Sequence, residues 1–541
     1  MDKKTIIAVL LIIAVFWISS ELLWKPKQKA AAEAAKLQTQ AQVEQTNISN
    51  TEQSISEPIK TVQPGTPITS AMETQTIPVN NEIILENESV KFTFSNQGGV
   101  ITSILLHDYF LKNKVDNAEL IPPSSSVMNT EIITHSGSLI NLRSKMFEYS
   151  TSSNSVTFTY TDEGCTFRKI FTLGDKYGMD FTIEASGCDQ AARYKIGLDS
   201  GIADTEEFLK MKTTDYKTVS QTDNVLEKFA LRKLKETKEL HGKVDWAVIR
   251  SKYFMIGLIP NELVDADQIT AFKVNNSPAL KMRISNLRPN FTHNYQIYAG
   301  PLNYKQLSEY GVGIENSVEM GWKFIQWISK LFMLFFSFLS GFIPSWGIVI
   351  VIFAIVLKLV LYPLTHKSFE STTKMQKIQP LLKDVQAKYK HDPKTLNIEM
   401  KKLYKEHGVN PMGGCLPMLL QMPVFFALYP ILRYSIDLRQ ASFMWLPDLS
   451  EPDPYLILPI AMAVFMFVQQ KLMAPSKQSL EEMDEKQKAA MQSQKMMMYV
   501  MPVMMFFLFR SFPSGLVLYW TLFNVMSSVQ QYFIKKSFHK D

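Results

Sequence analysis

The second half of the chain carries apolar run after apolar run, more than a single water-soluble core can hide. "WGIVIVIFAIVLKLVLYPLT" (346–365), "CLPMLLQMPVFFALYPILRY" (415–434), "YLILPIAMAVFMFVQQKLM" (455–473) and "GLVLYWTLFNVMSSVQQYFI" (515–534) each have the length of a membrane crossing. "MMMYVMPVMMFFLF" (496–509) is shorter and needs a thin or distorted bilayer. The mean hydropathy of -0.04 and net charge of +6 are those of an ordinary soluble protein only because very unequal segments are averaged.

Residues 1–24 hold a further run, "TIIAVLLIIAVFWISSELLW", behind "MDKK". About 20 residues at 1.5 Å each suffice for a hydrocarbon core of about 30 Å. No small-x-small site closes the run and no lipoprotein-type cysteine follows, so it reads as an uncleaved anchor, with a cleaved signal peptide as the alternative. Residues 25–79, rich in Ala, Gln, Thr and Pro, have too few large apolar groups to offset chain entropy and form a linker. From 80 to 320 the chain alternates apolar and polar residues between Gly, Asn and Asp turns, as in "VKFTFSNQGGV" and "SVTFTYTD", which predicts one large all-β sandwich. The expected fold class is therefore a polytopic α-helical membrane protein with a large all-β domain.

Cys165 and Cys188 flank "GDKYG", a hairpin turn. A register symmetric about Lys176 sets Cys165 opposite Gly187 and turns Cys188 to the other face, leaving either a disulfide or two free thiols. The domain's histidines, His107, His135, His241 and His293, have no metal-ligand spacing, and the domain shows no nucleophile motif and no phosphate loop. Nothing in it argues for catalysis, a metal or a cofactor.

In 321–345, Lys323, Gln326, Lys330, Met333, Ser337 and Ser340 recur at steps of three and four, a polar stripe on a helix otherwise of Trp, Phe, Ile and Leu. This predicts an amphipathic helix in the membrane interface, against the alternatives of a crossing or a helix packed under the β domain. Residues 346–541 form the membrane core. Between its crossings, 366–414 holds ten lysines against five carboxylates, while "DLRQASFMWLPDLSEPDP" is net acidic; the first is assigned to the cytoplasm and the second to the outside. Alternation then places both termini inside, the β domain outside, and counts six crossings. Within 366–414, apolar steps through Met375, Ile378, Leu382, Val385 and Tyr389, then Leu396, Met400 and Leu403, with Asp392-Pro393 between, predict a basic helical hairpin. Its lysines face lipid phosphates, ribosomal RNA or water.

Lys358 lies about 18 Å from Trp346 along its helix and about 12 Å from His366, too deep to snorkel easily. A lysine there costs about 2.5–3.5 kcal/mol on insertion scales, so it faces protein or a wet cavity. The other crossings hold no Asp or Glu between their ends; what they do contain is neutral and polar, such as Gln421, Gln470, Trp520, Thr521, Asn524, Ser527 and Ser528. A cation among neutral hydrogen-bonding groups implies water and a vacant place for another molecule's negative charge.

"NPMGGCLPMLLQMPVFFALY" (410–429), "LYPLT" (361–365) and "FPSGLVLYW" (512–520) resemble signatures of the YidC/Oxa family of membrane protein insertases, and the order of parts resembles the Gram-negative form. The resemblance implies a five-helix core, a groove open to the cytoplasm and to lipid but closed to the periplasm, residence in the bacterial inner membrane, and nascent membrane proteins, the Sec translocon and, weakly, the ribosome as partners, with no enzyme activity, no cofactor and no DNA. The family's basic residue, usually arginine, corresponds to Lys358, which keeps the charge and loses the guanidinium fork. The expected groove residues are Lys358, Gln421, Gln470, Trp520, Thr521 and Asn524. Met418, Met422, Met501, Met504, Met505 and Phe506 form a soft apolar slide for a guest segment. A small-anion transporter, which requires internal repeats, and an anchored carbohydrate-active envelope enzyme are the competing readings.

Overall fold

The structure is a computed structural model and describes residues 82–207, 209–409, 416–473 and 485–537. The expected anchor (1–24), the linker (25–79) and most of the "NPMGGC" motif lie outside the described residues.

Alternation of apolar and polar residues becomes three antiparallel sheets. A nine-stranded sheet runs, in spatial order, Val225–Ala230, Lys217–Thr222, Val244–Arg250, Phe254–Pro260, Phe291–Pro301, Gly178–Ser186, Cys165–Leu173, Ser155–Asp162 and Glu148–Thr151. A six-stranded sheet contains Ser277–Ile284 and Ala191–Leu198 at its centre, and a four-stranded sheet begins at Glu82. In Val90–Ser95, Val90, Phe92 and Phe94 are buried with Lys91 and Thr93 half-buried between them, the period of two that sends alternate side chains to one face. Phe94 meets Phe171 at 5.0 Å, and Phe171 stacks on Phe181 at 4.5 Å, so rings from two sheets join one core.

The hairpin around Lys176 has the expected register, with Thr166 opposite Ser186 as the last pair of the ladder. Beyond it Gly187 adopts a left-handed φ of 68°, and the chain turns so that the Cys188 amide donates to the Pro289 carbonyl at 3.0 Å. This turn cancels strand alternation and brings Cys188 to a disulfide with Cys165, the Cα atoms 4.5 Å apart.

Lys169 is fully buried in this core. Its Nζ donates to the carbonyls of Gly98 (2.8 Å), Met128 (3.0 Å) and Gly99 (3.2 Å), a cage matched to the three donors of an ammonium. Burial pushes its pKa down to about 7.

The β domain and the helices share buried contacts. Arg433 donates from Nη2 to both oxygens of Asp215 at 2.8 and 3.1 Å, and the Tyr434 hydroxyl adds a bond of 2.9 Å to the same carboxylate. Arg439 donates to Glu206 at 2.7 Å, and Ile436 inserts into the β-domain core.

Besides short helices at Lys212–Asp215 and Tyr304–Ser308, the described residues form α1 (Gln326–Ser340), α2 (Trp346–Lys377), α3 (Gln379–Lys388), α4 (Pro393–Glu406), α5 (Leu416–Tyr434), α6 (Ile457–Met473), α7 (Glu485–Phe509) and α8 (Ser514–Ser537). Among the described residues α2 is the one helix both long and apolar enough to cross a membrane by composition; α1 and parts of α6 and α7 are shorter apolar helices. Three departures from expectation follow from local chemistry. Helix α2 continues twelve residues past Thr365, because "HKSFESTTKMQK" contains neither Gly nor Pro. The single helix expected from Met375 to Tyr389 is instead broken at Ile378, where Pro380 lacks the amide that would bond back along the helix. Helix α7 begins at Glu485 rather than Met496, its added residues being mostly Ala, Gln, Lys and Met. As expected, Asp392 caps α4 by accepting from the Lys394 and Thr395 amides, with Pro393 in the first turn.

Helix α1 has three faces. Ile325, just ahead of it, and Ser329, Phe332 and Phe336 are buried, while Trp327, Leu331, Leu334 and Phe338 form an exposed apolar stripe. Ser329 donates to the Met320 and Ala427 carbonyls, at 2.9 and 3.3 Å, fixing α1 against α5. Gly347 at the start of α2 admits the Phe443 ring, which a Cβ would meet at 2.1 Å.

Two outcomes are expected. Lys169→Met removes the donor that the Gly98, Gly99 and Met128 carbonyls share and should destabilise the β domain by about 2–4 kcal/mol in thermal unfolding of the detergent-solubilised chain. Since folding lowers the Lys169 pKa, the wild type should gain stability as pH rises from about 7 towards about 10.5, and that increment should be missing from Lys169→Met. Asp215→Ala strands the buried Arg433 guanidinium and should cost about 3–5 kcal/mol, whereas the double change with Arg433→Leu should recover part of it; additive losses would show that the two residues do not act as a pair.

Candidate functional site

Helix α8 carries polar residues at Thr521, Asn524, Ser527, Ser528, Gln530 and Gln531, all buried. Steps of three and four divide them between two neighbours. Thr521 donates to the Val517 carbonyl at 2.8 Å and to Leu458 at 3.3 Å, and Ser528 to Asn524 at 2.9 Å and Phe465 at 3.2 Å, so these hydroxyls bond their own backbone and that of α6. Ser527 and Gln530 face α2. Lys358 donates to Ser527 Oγ at 2.8 Å, and Gln530 Nε2 donates to Thr365 Oγ1 at 3.2 Å.

Lys358 is 5% exposed, which decides that it does not reach lipid or bulk water directly. Besides the Ser527 hydroxyl, its Nζ lies 4.7 Å from the Phe523 ring centre and 5.8 Å from that of Phe369. Among the described residues no carboxylate pairs with it. A hydroxyl and two ring faces leave the amine short of a full set of acceptors.

Beside the amine lies a cavity of about 540 Å³, lined by Lys358, Tyr362 and His366 of α2 and by Met526, Val529 and Gln530 of α8. Tyr362 and Val529 are about half exposed, so the cavity opens sideways between the two helices. It can admit a polypeptide segment or an acyl chain and present a single cation to it.

Of the expected groove residues, Lys358 lines this cavity and the other five do not. Gln421 donates to the buried Tyr519 hydroxyl at 2.9 Å. Trp520 packs between Phe425 (5.1 Å) and Phe509 (5.3 Å). Thr521 is spent on backbone carbonyls, Gln470 is half-buried on α6, and Asn524 keeps a buried Nδ2 with no hydrogen-bond partner among the described residues. Of the expected slide, Met422 and Met504 are exposed, Met505 and Phe506 are half-buried, with Met505 against the helical core, and Met501 is half-buried. The Met418 side chain lies outside the described residues. Sequence reasoning missed Tyr362, His366 and Gln530. The first two stand one and two turns beyond Lys358, at i+4 and i+8, a spacing that would have found them.

The model of the 60Kd inner membrane protein matches residues 338–541, and that of the YidC periplasmic domain residues 82–335. A membrane protein insertase YidC of Pelodictyon phaeoclathratiforme is 31% identical over 495 residues, 84% of this chain and 82% of the relative. That of Geobacter metallireducens is 31% identical over 577 aligned positions, 99% of both chains. Among solved structures, an active YidC insertase with its first transmembrane domain resolved overlaps at a TM-score of 0.37 and 18% identity, covering 84% of this chain and 93% of that one. A galactose mutarotase related enzyme from Lactobacillus acidophilus overlaps at 0.31 and 12%, covering 40% and 97%. Overlaps of this size carry no weight in the assignment. End-to-end identity with insertase relatives does: the chain belongs to the YidC family of membrane protein insertases, inner-membrane proteins whose work is insertion rather than covalent chemistry.

Proposed function

We propose that this chain inserts nascent inner-membrane proteins by offering Lys358 as a transient counter-charge to their acidic ends. The reading rests on one observation: a buried cation held by a hydroxyl and two rings, without a carboxylate among the described residues, at the wall of an open recess. A guest tail carrying Asp or Glu supplies the missing charge. At 4 Å and an effective dielectric of about 20 such a pair is worth about 4 kcal/mol, comparable to the cost of placing the lysine there. The guest's hydrophobic segment passes along the soft apolar side chains of Met422, Met504, Met505 and Phe506. Partition into lipid then drives release, each buried apolar side chain contributing about 1.5–3 kcal/mol.

The topology that suits this work has six crossings, the first being residues 1–24 and the others 346–541. The β domain and the acidic loop after α5 lie in the periplasm, α1 lies in the outer interface, and both termini and the α3–α4 hairpin lie in the cytoplasm. The hairpin's lysines suit a weak contact with the ribosome, and the chain works alone or beside the Sec translocon.

Lys358→Arg should leave insertion of acidic-tailed substrates within about threefold of wild type, and Lys358→Ala should lower it by about tenfold, or about 1.4 kcal/mol, while sparing neutral-tailed substrates. Ser527→Asp sets an internal carboxylate beside the amine and should mimic Lys358→Ala. Equal effects on both substrate sets in a reconstituted insertion assay would remove the electrostatic step. Photo-crosslinkers at Tyr362 and Met526 should capture a stalled nascent chain, and silence at both positions would exclude this recess as the path.

A further inference from the structure

The polar stripe of α1 lines a second cavity. Lys330, Met333, Ser337 and Ser340 form one wall of a space of about 690 Å³, closed on its other sides by the Leu302–Ser308 segment at the end of the β domain and by the outer end of α5 with the turn after it. Lys305 and Lys330 are exposed at this space, and among the described residues neither pairs with a carboxylate. Asp437, also in the lining and exposed, accepts from Ser435 Oγ at 3.1 Å and pairs with no base among the described residues. The other carboxylate in the lining, Glu319, is already matched: Lys217 at 2.5 Å, Lys228 at 3.7 Å and Arg250 at 3.9 Å hold its pKa down to about 2, although burial alone would raise it.

One cavity thus presents two unmatched cations and one unmatched anion. Leu334 belongs both to its wall and to the exposed apolar stripe Trp327, Leu331, Leu334, Phe338, so the cavity opens onto the side of α1 suited to acyl chains. We infer that it is a binding site for a zwitterionic phospholipid headgroup of the phosphoethanolamine type, with the phosphate between Lys305 and Lys330 and the ammonium on Asp437. A headgroup that is anionic alone leaves Asp437 unmatched, and a choline headgroup has no N–H to give it. The acyl chains then lie along Leu334 and Phe338, and the lipid joins the β domain to α1 and α5. The inference rests on the interfacial placement of α1 proposed above.

The test is lipid retention by the full chain, in native mass spectrometry from a detergent solution offered phosphatidylethanolamine, phosphatidylglycerol and phosphatidylcholine in equal amounts. One phosphatidylethanolamine should be retained in preference. Lys305→Ala with Lys330→Ala should lower its retention by about tenfold, and Asp437→Asn should abolish the preference over phosphatidylglycerol. Lys305 and Lys330 are exposed, so an unchanged unfolding temperature checks that their loss is local. Equal retention of all three lipids by the wild type, or retention unmoved by the substitutions, overturns the inference. Competition by soluble glycerophosphoethanolamine as strong as by the lipid overturns its lipid part, and so does a crosslinker at Ser337 that captures a nascent chain in place of lipid. The placement of α1 is read separately by a spin label at Phe338→Cys in a Cys415→Ser background. Oxygen accessibility there reports immersion in lipid whether or not a headgroup is held.

Discussion

A cation in the middle of an apolar helix has few stable arrangements, and the organisation of the membrane core follows from the one adopted here. Desolvation makes a lone ammonium costly, and an internal carboxylate would remove the cost together with any use for the charge. Lys358 is held between these limits by the Ser527 hydroxyl and the Phe523 and Phe369 rings. That arrangement requires α8 to show polar residues on two faces, one to α2 and one to α6, which its spacing from Thr521 to Gln531 provides. It also requires α2 to be packed closely on one side of the lysine and loosely on the other. These are two faces of one helix: Ile350, Phe353, Ala354, Thr365 and Phe369 are buried, while Ile348, Ile355, Leu359, Val360 and Tyr362 are exposed.

The helical region is also docked to the β domain. Ile436 enters the β-domain core, Asp215 binds Arg433 in the last turn of α5, and Glu206 binds Arg439 just beyond it. Buried pairs of this kind contribute modestly to net stability, but breaking one partner is costly, so they specify a single docked arrangement.

Local rules wrote most of the fold into the sequence. The period-two alternation of Val90–Ser95, the Asp392-Pro393 cap and the hairpin register about Lys176 were legible because neighbouring residues decide them. The disulfide was ambiguous because one glycine, Gly187, takes the chain out of the strand, and alternation no longer applies beyond it. At the site the charge itself was legible from the depth of Lys358 in its run. Which polar groups meet it was not. Gln421 and Trp520 are as polar and as deeply placed as Ser527, yet they turn towards Tyr519 and the Phe425–Phe509 pair, and side-chain direction around α5 and α8 depends on helix rotation that composition does not encode.

The same geometry explains why a lysine serves where the family resemblance leads one to expect arginine. A guanidinium is strongest when two acceptors lie in its plane, and the wall around Lys358 supplies one hydroxyl and two ring faces. An ammonium meets that hydroxyl with one donor and leaves its others unused, free in the proposed mechanism for a guest carboxylate. It recognises charge without demanding a particular orientation of the acid. On the mechanism proposed above, which takes the ends of many different guests and lets each go, a point charge loosely held is the more suitable group.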